Sequence, residues 1–152
     1  MQEPIDRLAA ALERGTRPGL YRLEGQVAED RVGEIARKRG FAFFHLTGAS
    51  ITDKDSFLNA CAAAFKFPPT FGHNWDALAD LLGDLEWVRA PGYAVLYEDP
   101  AQFAKANPKD WATALDILRE TTRFWEAQQT PMWVLFSGRT DGLDDIPALT
   151  VD

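Results

Sequence analysis

Four short segments of this chain carry the apolar patterns of β-strands. Residues 41–46, 93–97 and 132–136 are nearly unbroken apolar runs. Strands that are covered on both faces have such runs, and they usually lie in parallel sheets joined by helical crossovers. Residues 20–23 alternate apolar and polar side chains instead, which indicates a half-buried or edge strand.

Helical periodicity marks the segments between these strands. A first helix is predicted after Pro4, over residues 5–12, and a second over residues 27–38. Thr52 and Asp55 resemble a capping box at the start of a third helix. The apolar face of this third helix consists of Phe57, Leu58, Cys61, Ala62 and Phe65.

A long helix is predicted from Asn107 onward. Asn107 is a suitable cap, Pro108 suits the first helical position, and Asp110 is an acid in the first turn. One side of this helix is apolar and consists of Trp111, Leu115, Leu118, Thr122 and Trp125. The order of elements is therefore strand, helices, strand, helix and strand, which predicts a small α/β layered domain.

A further helix, beginning near residue 75, has an unusual charge pattern. From residue 67 to residue 88 the chain contains four acids and no Lys or Arg. Asp76 and Asp80 lie four positions apart, so they share a helix face and repel each other by roughly 0.2–0.5 kcal/mol. A helix that carries such repulsion is a candidate for binding a positively charged partner.

Helical geometry divides this segment into two sides. The core side consists of Leu78, Leu81, Leu82 and Leu85, and the opposite side of Asp76, Asp80, Gly83, Asp84 and Trp87. Trp75 and Ala79 flank the acidic side, and interfaces often combine charge with an aromatic anchor. Structural explanations stand beside this one, because Asp76 also suits the helix dipole, Asn74 suits the N-cap, and a tryptophan is more often core than interface.

The overall charge favours a basic partner over nucleic acid. The chain has 16 Lys and Arg against 23 Asp and Glu, for a formal charge of −7. Binding to phosphates needs a basic surface, whereas an acidic protein attracts a basic one over long distances. Net negative charge also simply keeps a protein soluble, and that explanation stays open on charge alone.

The expected setting is the reducing cytoplasm. Cys61 is the single cysteine, so no internal disulfide can form. The first residues are acidic and lack the apolar run of a secretory signal. No segment is long and apolar enough to be expected to cross a membrane.

An enzyme is the weakest of the functional hypotheses. His45 lies in an apolar run, and Cys61 lies on the apolar face of a helix, where a cysteine is usually inert. His73 with Asp76 and Asp80 lacks a second pair of ligands for a metal. There is no phosphate-binding glycine loop and no nucleophile elbow. We therefore expect no catalytic residue, no metal and no cofactor.

Residues 67–82 resemble a known family closely. Their sequence is FPPTFGHNWDALADLL, with an aromatic residue, Gly, Asn, an apolar residue, Asp, Ala, Leu and Asp at fixed spacing. This segment is similar to the loop and second helix of the barstar family, which are intracellular inhibitors of secreted ribonucleases. The strand at residues 41–46, the helix at residues 53–66 and the last strand follow the family's order as well.

The resemblance implies a fold and a mode of action. The fold is a small parallel sheet with three core strands and packed α-helices, with an extra edge strand expected from the N-terminal residues. The function is to block the active site of a basic, secreted or toxin-type ribonuclease, as the immunity half of a toxin–antitoxin pair. Asp80 would enter the pocket where the enzyme binds a substrate phosphate, and Asp76 would pair with a basic group at its rim. The implied partner-binding residues are Thr70, Phe71, Gly72, Asn74, Trp75, Asp76, Ala79, Asp80, Gly83 and Asp84.

Several features depart from the family pattern. Thr70 and Ala79 stand where the family has aromatic residues, and Trp75 occupies an apolar contact position. A further acid that the family offers from its late helix aligns most directly with Phe124, and Glu126, two residues later, is the alternative after a small shift. We expect residues 1–40 to form an extension packed on the barstar-like domain of residues 41–138, and residues 139–152 to form an acidic tail that is either loose or packed over an edge. These departures support an alternative, a protein-binding module on the same fold whose partner is not a ribonuclease.

Overall fold

The computed structural model describes residues 9–10, 12, 17–25 and 29–150 of the chain. Its strands form one sheet of five strands in the order β2-β3-β4-β1-β5. All four neighbouring pairs in this sheet are parallel. The strands are β1 (Leu20–Glu24), β2 (Ala42–Thr47), β3 (Tyr93–Glu98), β4 (Met132–Ser137) and β5 (Ala148–Thr150). The predicted class, a small parallel sheet packed with helices, is confirmed.

The sequence predicted three core strands and an N-terminal strand at the edge. The sheet has five strands, and the N-terminal strand β1 lies inside it. Leu20 of β1 pairs with Val134 of β4, and on the other side Arg22 of β1 pairs with Ala148 of β5. The alternating pattern of β1 is compatible with this inner place because the Arg22 side chain donates a 2.8 Å hydrogen bond to the Ile146 carbonyl oxygen. The acidic tail supplies the edge strand β5 and so packs beside the sheet.

Five α-helices have their bounds in the described part of the chain, and residues 9, 10 and 12 are helical as well. The five are α1 (Glu29–Lys38), α2 (Lys54–Phe65), α3 (Trp75–Leu82), α4 (Ala101–Ala106) and α5 (Pro108–Ala127). The predicted helix over residues 5–12 lies mostly outside the described residues, as do residues 27 and 28 of the second one. Helix α4 was not predicted, since its six residues are too few to show a helical period of their own. No helix in the described ranges is both long and apolar enough to cross a membrane.

Two predicted helix starts differ in detail from the structure. The capping box of α2 uses Asp53 and Ser56, one residue later than predicted: the Ser56 N–H donates to Asp53 Oδ1 at 2.8 Å, and the Ser56 hydroxyl oxygen accepts from the Asp53 N–H at 3.1 Å. A serine can thus replace the acid as the third helical residue. Asn107 precedes α5, but its side chain makes no cap and instead donates to the Thr52 carbonyl oxygen at 2.6 Å.

Apolar side chains cover both faces of the sheet, as the unbroken runs predicted. On one face, alternate residues such as Val95 and Val134 pack against α2, α3, α4 and α5. On the other face, Leu96, Trp133 and Leu135 pack against Val32 and Ile35 of α1. The N-terminal region therefore covers a sheet surface that would otherwise be exposed, on the side opposite α3.

Candidate protein-binding site

Helix α3 begins at a well-formed N-cap. Asn74 has an extended backbone, and its side-chain oxygen accepts a 2.8 Å hydrogen bond from the Ala77 N–H. At the other end, the Gly83 N–H donates to the Ala79 carbonyl oxygen at 3.1 Å. The predicted capping role of Asn74 is confirmed. Leu78 and Leu82 are buried in the core, so the opposite face of α3 is held toward solvent.

The loop before α3 is held by aromatic packing. The ring of Phe71 lies 4.9 Å from that of Phe67 and 4.8 Å from that of His73, and the Phe71 N–H donates to the Pro68 carbonyl oxygen at 3.0 Å. His73 adopts φ +50°, a left-handed conformation that is uncommon outside glycine. A Cβ atom on Gly72 would lie 3.2 Å from the Asn74 side-chain nitrogen, so a larger residue there would crowd the cap.

The acidic side chains of this region are accessible. Asp76, Asp80 and Asp84 are all exposed. Within the described part of the chain, no Lys or Arg forms an ion pair with any of the three. Their charges are therefore open to solvent and to a binding partner.

Trp75 lies between the core and the acidic face. It is half-buried, and its ring lies 6.1 Å from that of Phe57. The Lys54 ammonium of α2 stands 5.5 Å from the centre of the indole, within the range of a cation–π contact. Sequence spacing did not indicate this neighbour, because Lys54 is distant along the chain and reaches Trp75 through the packing of α2.

The helical projection that placed Gly83, Asp84 and Trp87 opposite the core is wrong beyond Leu82, because α3 ends there. Leu85 has φ +50°, which turns the chain into a short 3₁₀ helix, Glu86–Val88. The Trp87 indole N–H consequently points back to α2 and donates to the Phe65 carbonyl oxygen at 2.8 Å. Trp87 therefore does not belong to the acidic face. Leu81, predicted as core, is half-buried.

All ten residues that the sequence implied as partner-binding reach the surface. Seven are exposed, and they are Thr70, Gly72, Asn74, Asp76, Ala79, Asp80 and Asp84. The other three, Phe71, Trp75 and Gly83, are half-buried. They lie on one continuous segment of loop and helix.

Helix α5 adds residues to this surface that sequence reasoning missed. A groove of about 360 Å³ runs between α3 and α5. Its lining residues are Ala79, Asp80, Gly83, Ile117, Glu120, Thr121 and Phe124. Phe124 is 44% exposed and is the one exposed large hydrophobic residue in the described ranges. We call this feature the α3–α5 groove. The helical period of α5 places Glu120 one turn before Phe124, but no local pattern indicates that this side of α5 packs beside α3.

Glu126, two residues after Phe124, forms an ion pair with Arg17. The Arg17 guanidinium donates to its two carboxylate oxygens at 2.7 and 2.8 Å. This hydrogen-bonded pair lowers the pKa of Glu126 and ties α5 to the residues before β1. Phe124, which aligns with the family's acid, carries no charge. Glu120 is the acid of α5 that faces Asp80 across the groove.

The residues considered for catalysis have structural explanations. His45 pairs with Glu98 between neighbouring strands. Cys61 is fully buried, and this burial raises the pKa of its thiol, so the thiolate is suppressed. In the described ranges no three His, Cys, Asp or Glu residues stand close enough together to hold a metal ion.

Comparison with known proteins gives a family and a fold. A family model described as "Barstar (barnase inhibitor)" matches residues 41–137. Among solved structures, the crystal structure of Cdc6p from Pyrobaculum aerophilum is similar with a TM-score of 0.59 and 15% sequence identity, over 95% of this chain and 42% of that chain. At this identity the likeness concerns the fold alone. No curated protein matches the sequence.

Proposed function

Because this chain belongs to the barstar family, we propose that it inhibits a basic ribonuclease by covering that enzyme's active site with α3 and the loop before it. The family match spans residues 41–137 and so includes this whole surface. The observation that carries the proposal is the pair Asp76 and Asp80, exposed one helical turn apart and without an ion-pair partner among the described residues.

The charge pattern suits the active site of a ribonuclease. An enzyme that binds a polyanion collects Arg, Lys and His side chains around the position of the scissile phosphate. Two carboxylates on one helix turn imitate neighbouring phosphates and can accept several charge-assisted hydrogen bonds at once. In this proposal Asp80 occupies the phosphate pocket and Asp76 pairs with a basic side chain at its rim.

The rigidity of the surface supports a tight complex. Asn74 caps α3, and Leu78 and Leu82 anchor it in the core, so the two carboxylates are held before binding. Gly72 leaves room for the cap, and the aromatic contacts of Phe71 hold the loop. A preorganised surface loses little conformational entropy when a partner docks. Thr70, Asn74 and Trp75 would contact the enzyme beside the acids.

The proposal assigns no catalytic role to the chain. The protein would act in the cytoplasm as the immunity partner of a secreted or toxin-type ribonuclease, without contacting nucleic acid itself. Its formal charge of −7 agrees with a basic protein as partner.

An inhibition assay with matched variants tests the proposal. Barnase and a panel of basic secreted microbial ribonucleases are assayed on a fluorogenic RNA substrate, with the native chain, Asp80→Ala or Asp84→Ala added. We expect the native chain to silence at least one enzyme, Asp84→Ala to lose far less inhibition than Asp80→Ala, and Asp80→Ala to require a concentration about a hundredfold higher or more. Equal losses in the two variants would refute the assignment of Asp80 to the phosphate pocket.

The same variants separate ribonuclease inhibition from binding to another protein. The native chain and Asp80→Ala serve as baits in lysate and culture medium of the source organism, and the captured fractions are assayed for ribonuclease activity. A ribonuclease retained by the native bait alone supports the proposal. A retained protein without such activity, and no inhibition of any enzyme in the panel, would refute it in favour of a binding module with a different partner.

A further inference from the structure

The α3–α5 groove is built from small residues on one helix and apolar residues on the other. Ala79 of α3 and Gly83, the residue just after α3, stand one turn apart, so they leave space where longer side chains would meet α5. Ile117 and Thr121 line the groove from α5. The Thr121 hydroxyl donates to the Ile117 carbonyl oxygen at 2.7 Å, which satisfies it without a ligand. The floor of the groove is therefore effectively apolar.

An aromatic ring forms one wall. The ring of Phe124 is braced edge-on by Trp125, with ring centroids 5.3 Å apart and an angle of 80° between the planes. A Cβ atom added to Gly83 would lie 3.9 Å from Phe124 Cδ2, so the ring stands next to this glycine. A 44% exposed phenylalanine at the mouth of a groove offers a flat surface to an incoming group.

Two carboxylates border the same space. Asp80 of α3 and Glu120 of α5 both line the groove, and both are exposed. In the described part of the chain neither forms an ion pair with a Lys or Arg. The basic residues of α5 nearest to Glu120 in sequence are Arg119 and Arg123. Arg119 pairs with Asp116 and Asp145, and Arg123 lines a separate pocket beside Arg17.

We propose that the α3–α5 groove receives an arginine side chain of the protein partner. An aliphatic stem would cover Ala79, Gly83 and Ile117, and the guanidinium would lie against the Phe124 ring between Asp80 and Glu120. The inference deepens the proposed function and rests on it only for the basic character of the partner.

Arginine fits this combination better than other side chains. Its planar guanidinium stacks on an aromatic face and presents donors in several directions, so one group can bond to two carboxylates. A lysine ammonium is a compact and strongly hydrated charge that stacks less well. An aromatic or aliphatic side chain would fill the floor and leave Asp80 and Glu120 desolvated without a counter-charge, which is unfavourable.

Binding of a short peptide to the isolated chain tests the groove without any ribonuclease. The peptide acetyl-Gly-Arg-Gly-amide is titrated into the protein and followed by amide NMR, with the Lys and citrulline analogues in parallel at constant ionic strength. We expect saturable shifts at the Gly83 and Thr121 amides, binding about tenfold weaker for the Lys peptide, and none for citrulline. Equal binding of the Arg and Lys peptides, or no saturable shift at these amides, would overturn the proposal.

Matched variants distinguish the groove from general charge attraction. Glu120→Gln and Asp116→Asn each remove one charge from α5, but only Glu120 lines the groove. We expect Glu120→Gln to weaken the Arg peptide about tenfold, with Asp116→Asn unchanged. Gly83→Leu should abolish binding by filling the groove, and it suits the backbone, since Gly83 has φ −86°. If Gly83→Leu fails to fold, Phe124→Ala replaces it as the test. Phe124 is a surface residue, and its loss removes the aromatic wall, so this variant should also abolish binding of the Arg peptide.

The peptide assay tests the groove and the enzyme assay tests the proposed function, so a negative result in one does not decide the other. A chain that binds the Arg peptide but inhibits no ribonuclease refutes the proposed function and leaves the groove as an arginine site. Inhibition that persists in Gly83→Leu and in Glu120→Gln, without peptide binding, refutes the groove alone.

Discussion

The indole N–H of Trp125 on α5 donates a 2.8 Å hydrogen bond to the carbonyl oxygen of Leu82, the last residue of α3. The bond is buried, and it satisfies one of the carbonyl groups that every helix leaves without an internal partner at its end. Since Asn74 caps the other end, α3 is fixed at both termini. The position of the acidic face therefore depends on a tryptophan of another helix.

Removal of this bond should loosen α3. Trp125→Phe keeps an aromatic ring but leaves the Leu82 carbonyl oxygen buried without its donor, which we expect to cost about 1–3 kcal/mol of unfolding free energy in urea. Hydrogen exchange at the α3 amides should speed up. Trp87→Phe is the control, because it removes a similar bond to the Phe65 carbonyl oxygen of α2. Equal exchange changes at α3 in both variants would contradict a specific link.

Added salt should weaken binding mainly by slowing association. The Debye length falls from about 30 Å at 0.01 M to about 8 Å at 0.15 M ionic strength, so the long-range attraction between the acidic surface and a basic enzyme is screened. We expect the association rate constant to fall about tenfold over this range, with a smaller change in the dissociation rate constant. Stopped-flow fluorescence with a ribonuclease that the chain inhibits in the proposed assay measures both. An association rate that does not respond to salt would contradict recognition led by charge.

A substitution on the sheet face opposite α3 should lower the stability of the protein without changing its affinity for a partner. Ile35 of α1 is 3% exposed and packs on the face opposite α3. Ile35→Ala should lower the unfolding free energy by about 2–5 kcal/mol, because it removes buried methylenes and leaves a cavity. The affinity of the remaining folded protein for its partner should not change. Glu34→Ala, a surface change on the same helix, is the control and should cost under about 0.5 kcal/mol.

The cap of α2 should respond to acid. Hydrogen bonds from the Ser56 N–H and hydroxyl lower the pKa of Asp53 below its ordinary value of 3.8. A lowered pKa in the folded state means that the cap stabilises the protein at neutral pH. That contribution is lost as the pH falls from about 3.8 through the lower folded value. Thermal unfolding of the native chain and of Asp53→Asn between neutral pH and about pH 2 measures it. The difference in melting temperature between them should shrink at the acidic end, and a constant difference would contradict the assignment.

Local patterns predicted most strands and helices because their signals lie within each segment. The unbroken runs around Val95 and Val134 indicated strands covered on both sides, and they are. Asn74 was recognised as a cap from its position before an apolar and acidic repeat. Such features depend on neighbours a few residues away.

Other features depend on contacts between distant segments, which one sequence does not reveal. The inner place of β1 results from β5 of the tail pairing on its free side. The sequence made Glu126 a candidate for the further partner-binding acid, and it did not indicate that Arg17 forms an ion pair with Glu126. The prediction that the helix continues beyond Leu82 was wrong because Leu85 adopts a left-handed backbone conformation. A leucine in the sequence does not indicate that conformation. Glu120 joins the acidic surface only through the packing of α5 against α3.

The inner position of β1 affects the order in which the sheet can close during synthesis. A ribosome releases β1 before the other four strands, yet Leu20 pairs with Val134 of β4, which lies 114 residues later in the chain. Strands β2, β3 and β4 can pair in the order in which they leave the exit tunnel, whereas β1 must wait, and β5 must wait for β1. Such distant pairing carries a large entropy cost of loop closure and slows folding. Until translation has passed β4, β1 therefore has neither of its strand partners, and we expect its apolar residues to be open to aggregation during that time.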